Sequence, residues 1–329
     1  MSIQENIMIP TQLVDVKNID DSSGPYCMSF GFDLRPLIRS IDSIGLLNSP
    51  LLMKTVQERL NIITGYRRIK AIKTLKWDKI PCRILSESKL PPLECLLLNF
   101  HDNLSTRELN CVEKGMALSR LTAYLPDSEI IEHYMPLLDL PSHEDTLHLY
   151  IKIEKELEIE IKKNLAQGRL SLHAAKMLLE VDPDSRSSIC RLISYLKFNI
   201  NQQKQFIDYI VDISHISGKP VSDLLGEEPV KGVCSDEHLN IPQKGRAVLR
   251  FFRGRRFPSL TIAESTFKKM VAKLDLPDGV KIEFPRFFEA QHFRLEVCFK
   301  EGRELKEKIE SLTRKEGLGN LGNPWGEGV

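Results

Sequence analysis

Leu60-Asn61-Ile62-Ile63-Thr64-Gly65-Tyr66-Arg67-Arg68-Ile69-Lys70-Ala71 sets two adjacent arginines just after a glycine that ends an apolar, β-branched run. Ile69, Ile72 and Leu75 follow at helical spacing. Strand, glycine turn and cationic helix start together make an anion site. Free backbone N–H groups and the helix dipole point at the ligand, and each guanidinium fork matches two phosphate oxygens. The plainer alternative is an ordinary strand-to-helix turn with two solvated arginines.

Other cations cluster downstream. Lys244, Arg246, Arg250, Arg253, Arg255 and Arg256 run without an intervening acid, with Phe251, Phe252 and Phe257 among or beside them. Such a patch attracts polyanions in a salt-dependent way and suits stacking on unpaired bases. The alternative is an amphipathic element with phenylalanines in the core and arginines in solvent. Arg169, Ser171 and Lys176 can position on phosphates, while His173, among Leu172, Ala174 and Ala175, is expected to pack. Lys152 and Lys155 belong to a helix expected after Ser142 and led by His143, Glu144 and Asp145. Its acidic front repels phosphate, although carboxylates can accept from cytosine N4. Cys234 and His238 have ligand-like spacing but lack two further ligands nearby, so no metal site is expected.

The elements that position these residues follow from local pattern. A helix over Leu34–Ile44 stops at Gly45, and Gly45-Leu46-Leu47-Asn48-Ser49-Pro50 leads into the apolar run 51–53. Trp77-Asp78-Lys79 turns the chain into Ile80-Pro81-Cys82-Arg83-Ile84. Asn110 and Glu113 form a capping box for a run through Leu118, Leu121 and Leu125. Ser128 is expected to cap Ile130–Leu138, and Ser142 to cap Leu147–Ile153. Two short helices joined by a tight turn have the form of a helix-turn-helix. Helices are expected near 159–166, 171–180, 186–196, 202–217, 261–274 and 303–315, with strands around 280–284 and 293–299. Gly218, Gly226, Pro229, Gly232 and Pro242 mark 218–242 as a loop-like linker, and the glycine-rich 317–329 is expected to be a disordered tail. The expected domains are therefore 1–104, 105–217 and 243–316.

The order helix, "GLLNSP", strand, strand, "GYRRIKA", helix, "IPCRI" closely resembles the N-terminal domain of the ParB family of partition proteins. The family's usual motif there is G-E-R-R, and Tyr66 stands where its glutamate is expected. Asp102 to Lys114 resembles the family's E-N-x-x-R-x-x-L-N-P-x-E segment. Asp102 replaces glutamate, Asn103 matches, Thr106 takes the arginine position and Arg107 falls one residue late. Gly168 to Leu179 is similar to G-x-L-S-x-G-H-A-R-x-L, with Leu172 for glycine and Ala175 for arginine.

This resemblance implies a sulfiredoxin-like α/β N-terminal domain, an all-α middle domain with a degenerate helix-turn-helix, and a small α/β C-terminal domain suited to dimerisation. It implies CTP with Mg2+ bound by Gly45, Asn48, Gly65, Tyr66, Arg67, Arg68, Asp102 and Asn103. Hydrolysis would be slow at most, and binding would gate a homodimeric clamp on double-stranded DNA. Tyr66 supplies no carboxylate and Thr106 no cation, so the alternative within the fold is a scaffold that has lost its nucleotide. Relatives with this α/β domain include nucleases and ATP-using phosphotransferases, and an enzyme of that kind is the alternative function; a regulator keeping the fold for protein contacts is a third. A ParA-type ATPase partner is also implied, but the basic, glycine-containing N-terminal peptide that makes that contact is not apparent here.

Composition bounds these readings. Net charge is only +1, so any nucleic-acid contact has to rest on local patches. No apolar run is long enough for a transmembrane helix, and the first residues lack a signal-peptide pattern. The seven cysteines are odd in number, scattered and set in apolar surroundings, as expected of reduced core residues in a cytoplasmic protein, and the family resemblance implies association with the nucleoid.

Overall fold

Apolar residues on both faces of short strands demand cover on both sides, and the chain supplies it with helices. The computed structural model describes residues 9–87, 90–285 and 292–321. Two compact units divide at residues 207 and 208.

The first unit begins with β1 (Thr11–Asp15), a 3-10 turn and β2 (Ile19–Asp20), followed by α1 (Arg35–Ile44), β3 (Leu51–Lys54), β4 (Leu60–Thr64), α2 (Tyr66–Thr74), β5 (Lys79–Ser86) and α3 (Pro92–Thr106). The strands form one sheet in the order β1-β5-β3-β4-β2. β1 with β5 and β3 with β4 are antiparallel, whereas β3 with β5 and β2 with β4 are parallel. Period-two alternation sends Leu52, Ile62, Ile80 and Cys82 to a core shared with Ile69 and Ile72 of α2. Leu51, Met53, Ile63 and Leu85 face the opposite core with Leu96 and Phe100 of α3.

That second core continues into α4 (Cys111–Leu121) and beyond, through Leu118, Leu121, Met135 and Tyr150. The expected boundary at residue 104 therefore falls inside α3, and the core does not stop there. A single turn, α5 (Asp127–Glu129), leads into a π turn (Ile130–Tyr134) and a 3-10 turn (Pro136–Leu138). The regular helix expected over 130–138 does not form. Pro136 lacks an N–H, and Met135 N–H reaches back to Ile130 O. The Ser128 cap is likewise replaced, because Pro126 holds the N-cap position.

Next come α6 (Glu144–Glu156), α7 (Ile159–Ala166), α8 (Leu172–Leu179), α9 (Pro183–Leu196) and α10 (Ile200–Ser217), in which the division between units falls. His143, in extended conformation, precedes α6 in place of the expected Ser142, and no side chain caps it. α6 buries Leu147, Tyr150 and Ile153, and crosses α4 so closely that a Cβ on Gly115 would lie 2.5 Å from Tyr150 O.

In the second unit the segment expected to be a loop-like linker carries α11 (Val221–Leu225) and α12 (Glu228–Ser235). Two of its breakers sit at helix ends, Pro229 at the start of α12, where no N–H is needed, and Gly226 at the close of α11, whereas Gly232 is carried inside α12. Long helices α13 (Ile241–Arg256) and α14 (Pro258–Lys273) follow, then antiparallel β6 (Val280–Glu283) and β7 (Arg294–Val297), and α15 (Gly302–Thr313). The expected disordered tail opens with a 3-10 turn at Leu318–Asn320, and its remainder from 322 lies outside the described residues. Among the described residues no helix is long and apolar enough to cross a membrane.

The α4–α6 crossing yields a stability test. Gly115→Ala is expected to destabilise the first unit by about 1–3 kcal/mol, because the new methyl meets backbone, which cannot rotate away. A urea midpoint equal to wild type would show that the helices separate freely.

Candidate functional site

Gly65 fixes where β4 hands over to α2. Its φ of +91° is open to glycine at little cost, and a Cβ there would meet Pro50 at 3.0 Å. α2 starts with no side-chain cap, so its first N–H groups are left to whatever occupies the space ahead. That space is a cavity of about 590 Å³ lined by Asn48, Ser49, Gly65, Tyr66, Arg67 and Arg68 on one side, and Asn99, Asp102, Asn103, Thr106 and Arg107 on the other. Thr11, Ser29 and Arg83 add to its wall.

Seven of the eight residues expected around a nucleotide thus come together. Gly45 is absent from the lining. It ends α1 at φ +79°, with its N–H on Ile41 O, so its task is the turn that brings Asn48 into place. Tyr66 packs edge-on against Phe32 with ring centroids 6.1 Å apart, and the Arg67 guanidinium lies 4.6 Å from the Phe32 ring centre.

The arginines are held by a polar network that joins sheet, loop and helices. Glu113 is 1% exposed. Its carboxylate accepts from Arg67 Nη2 at 2.5 Å, Arg107 Nη1 at 2.6 Å, Phe30 N at 2.9 Å and Asn110 N at 3.1 Å. The last of these completes the expected capping box with Asn110, so one carboxylate starts α4 and neutralises two guanidiniums. Burial, with Arg107 nearby, pulls the Arg67 guanidinium below its usual range.

Arg107, one residue late in the sequence pattern, reaches the cavity through the backbone geometry that follows α3. α3 ends at Thr106, and Arg107 leaves it in extended conformation (φ −165°), turning its side chain into the cavity. Arg107 Nε donates to Asn103 Oδ1 at 2.9 Å, and Nη2 to Met28 O at 2.9 Å. Asn103 Nδ2 donates to Asn99 Oδ1 at 2.5 Å, and buried Asn99 donates to Ile63 O of β4. Asn103, expected as a ligand contact, is therefore engaged in holding Arg107. Arg68 donates to Asn48 O at 2.8 Å and pairs with Asp102 at 3.2 Å. Burial lowers its proton affinity, which Asp102 opposes and neighbouring Arg83 reinforces.

The residues expected to meet DNA lie elsewhere. Lys152 and Lys155 are exposed on α6, whose start carries exposed Glu144 and Asp145, and His148 sits 3.4 Å from Glu144 and 3.8 Å from Asp127. Arg169 and Lys176 are exposed. His173 is exposed as well, against expectation, because Ala174, Ala175 and Leu178 form the buried face of α8.

The 244–256 patch is a stretch of α13, and most of its charge is already answered. Arg253 makes a two-point pair with Glu264 at 2.6 and 2.8 Å, Arg255 pairs with Glu227, and Arg256 pairs with Asp212 at 2.6 Å. Lys244 is buried and donates to Cys234 O at 2.6 Å. Phe252 is core. Arg246 and Arg250 remain exposed, along a shallow groove with Gln243 and Ala247. Of the six cations, Arg246 and Arg250 are the exposed two that make no ion pair among the described residues.

Similarity to known proteins bears on this site. Residues 4–98 match the ParB N-terminal domain. A nucleoid occlusion protein of Lysinibacillus sphaericus is 28% identical over 88 residues, 27% of this chain and 28% of that protein. A probable chromosome-partitioning protein ParB of Vibrio cholerae is 21% identical over 174 residues, 53% of this chain and 57% of that protein. The chain thus spans less than two thirds of either relative. The crystal structure of the C-terminally truncated chromosome-partitioning protein ParB from Caulobacter crescentus complexed with CTP-gamma-S is 17% identical, covering 56% of this chain and 98% of that one. Its TM-score is 0.26.

Two tests follow from the network and the patch. Glu113→Gln is expected to destabilise the first unit by about 3–5 kcal/mol, since Arg67 and Arg107 would then face each other without a counter-charge; denaturation with urea measures it. If the chain binds DNA, exchanging Arg246 and Arg250 for glutamine is expected to weaken binding to all sequences alike. The same exchange should flatten the salt dependence by up to about one unit for each phosphate no longer engaged. Arg253→Ala should chiefly lower the melting temperature. If filter binding responds to Arg253 and ignores Arg246 and Arg250, the assignment of the exposed pair is wrong.

Proposed function

Because the chain carries a ParB N-terminal domain, we propose that it is a DNA-binding protein of the partition and nucleoid-occlusion kind whose cavity binds a nucleoside triphosphate, CTP foremost. The observation that carries this reading is the convergence of Arg67, Arg68, Arg83 and Arg107 on the uncapped start of α2. A polyphosphate would meet forked donors and a helix dipole there, in a space of the size that small-molecule ligands fill. The choice of CTP rests on the family resemblance set out above.

The residues fit such a ligand and leave little for a resident metal. Asp102 is the one carboxylate in the cavity lining, and Arg68 engages it. Among the described residues no group of three His, Cys, Asp or Glu side chains could hold a metal ion. Magnesium would therefore arrive with the phosphates and take Asp102 as its protein partner. With that carboxylate occupied there is no free general base in the lining, and hydrolysis would be slow at most.

Glu113 supplies the coupling. Phosphates entering the cavity compete with it for Arg67 and Arg107, and any weakening of those bonds is felt at the capping box that starts α4. Ligand state then biases how α4 and the helices beyond it sit, including α6 and α8, which present Lys152, Lys155 and Lys176. In a homodimer this would change the grip on double-stranded DNA.

Calorimetry with CTP, ATP and GTP in the presence of magnesium tests the reading. CTP is expected to bind the wild type, and Arg68→Ala to abolish binding while the circular dichroism spectrum stays unchanged. Absence of binding by all three nucleotides would overturn it.

A further inference from the structure

Three of the four guanidiniums in the cavity lining are matched by an acid: Arg67 and Arg107 by Glu113, and Arg68 by Asp102. Arg83 is the exception. Among the described residues it makes no ion pair, although it lines the cavity and is half-buried. Its backbone is fixed within the sheet, in register with Thr11 of β1 and Leu51 of β3, and its N–H donates to Pro50 O at 2.9 Å. The side chain therefore projects from a rigid strand, across from the uncapped helix start that Arg67 and Arg68 occupy.

Arg83 also stands at a junction. A second cavity of about 370 Å³ shares Arg83 and Asp102 with the first, and its other walls include Leu51, Leu85, Leu90 and Leu98. Those apolar walls offer no anion. The like charge of Arg68 lies close enough to Arg83 to be disfavoured by it. Two guanidiniums that share a cavity wall with one carboxylate, itself paired with Arg68, in a partly desolvated space, are relieved by an added anion.

We infer that Arg83 is a phosphate-positioning residue: it grips the ligand's phosphate chain from the sheet while α2 grips it from the other side. This deepens the nucleotide reading and rests on it. A guanidinium suits the role because its planar fork spans two phosphate oxygens, which an ammonium cannot do. A plain solvated arginine at the cavity mouth would have no effect on ligand affinity.

The test compares wild type, Arg83→Gln and Arg83→Lys as full-length proteins, titrated with CTP, cytidine and inorganic tripolyphosphate in magnesium. Arg83→Gln is expected to weaken CTP and tripolyphosphate by roughly 10- to 100-fold, the range for removing a charged hydrogen bond, and to leave cytidine unchanged. Arg83→Lys should recover part of the affinity. The ligand-free melting temperature should hold or rise, since an unmatched charge has been removed. Undiminished CTP and tripolyphosphate binding by Arg83→Gln would overturn this assignment alone, as would a melting temperature several degrees lower. A wild type that binds tripolyphosphate but no nucleotide, with Arg83→Gln weaker, would keep Arg83 and discard the nucleotide. A wild type that binds neither would discard both.

Discussion

A carboxylate taken out of water has to find its hydrogen bonds and its counter-charge in the protein, and Glu113 finds both in two cations and two backbone N–H groups. Three segments that are distant in sequence meet at this point: the start of α2 through Arg67, the end of α3 through Arg107, and the loop around Met28 and Phe30. Were the pair of guanidiniums left without Glu113, their mutual repulsion would push apart the walls of the cavity. Were Glu113 left without them, α4 would begin with a buried, uncompensated charge. The α/β part and the helices that follow are joined by this requirement as much as by their shared apolar core.

The sheet supplies the rigid half of the arrangement. Because both faces of β3, β4 and β5 are covered, its strands are fixed in register, which sets the positions of Thr11 at the start of β1, Arg83 within β5 and Asn48 in the turn before β3. The helix half is held by polar contacts. Asn99 fastens α3 to the backbone of β4, and through Asn103 it passes that placement to Arg107. Apolar burial sets the frame, and a short relay of amides carries it to the charged groups.

What the sequence makes legible is local. The strand-glycine-Arg-Arg-helix order and the Asn110–Glu113 capping box are each contained in a few residues, and both form as expected. Helix positions from 159 to 217 likewise follow from 3.6-residue periodicity. What escapes it depends on partners far along the chain. Arg67 meets Glu113 across 46 positions, and Arg255 meets Glu227 across 28, so a run of cations looks free when its acids are elsewhere. Arg107 stands one residue off the pattern it resembles, yet the helix ends just before it and sends its side chain along a different path. The short helices over 221–235 are hidden because proline and glycine suggest breaks, yet Gly226 and Pro229 stand at helix ends and Gly232 is tolerated inside α12.

Glu113 starts a helix, balances two cations and anchors a loop, so no substitution there can adjust one of these tasks alone. Variation that changes ligand preference has to enter through positions carrying a single task. Tyr66 and Thr106, where this chain differs from the pattern it resembles, are of that kind: both line the cavity and neither contributes to the Glu113 cluster. Divergence is thereby channelled to the rim of the site, while its centre is held in place by the number of obligations it bears.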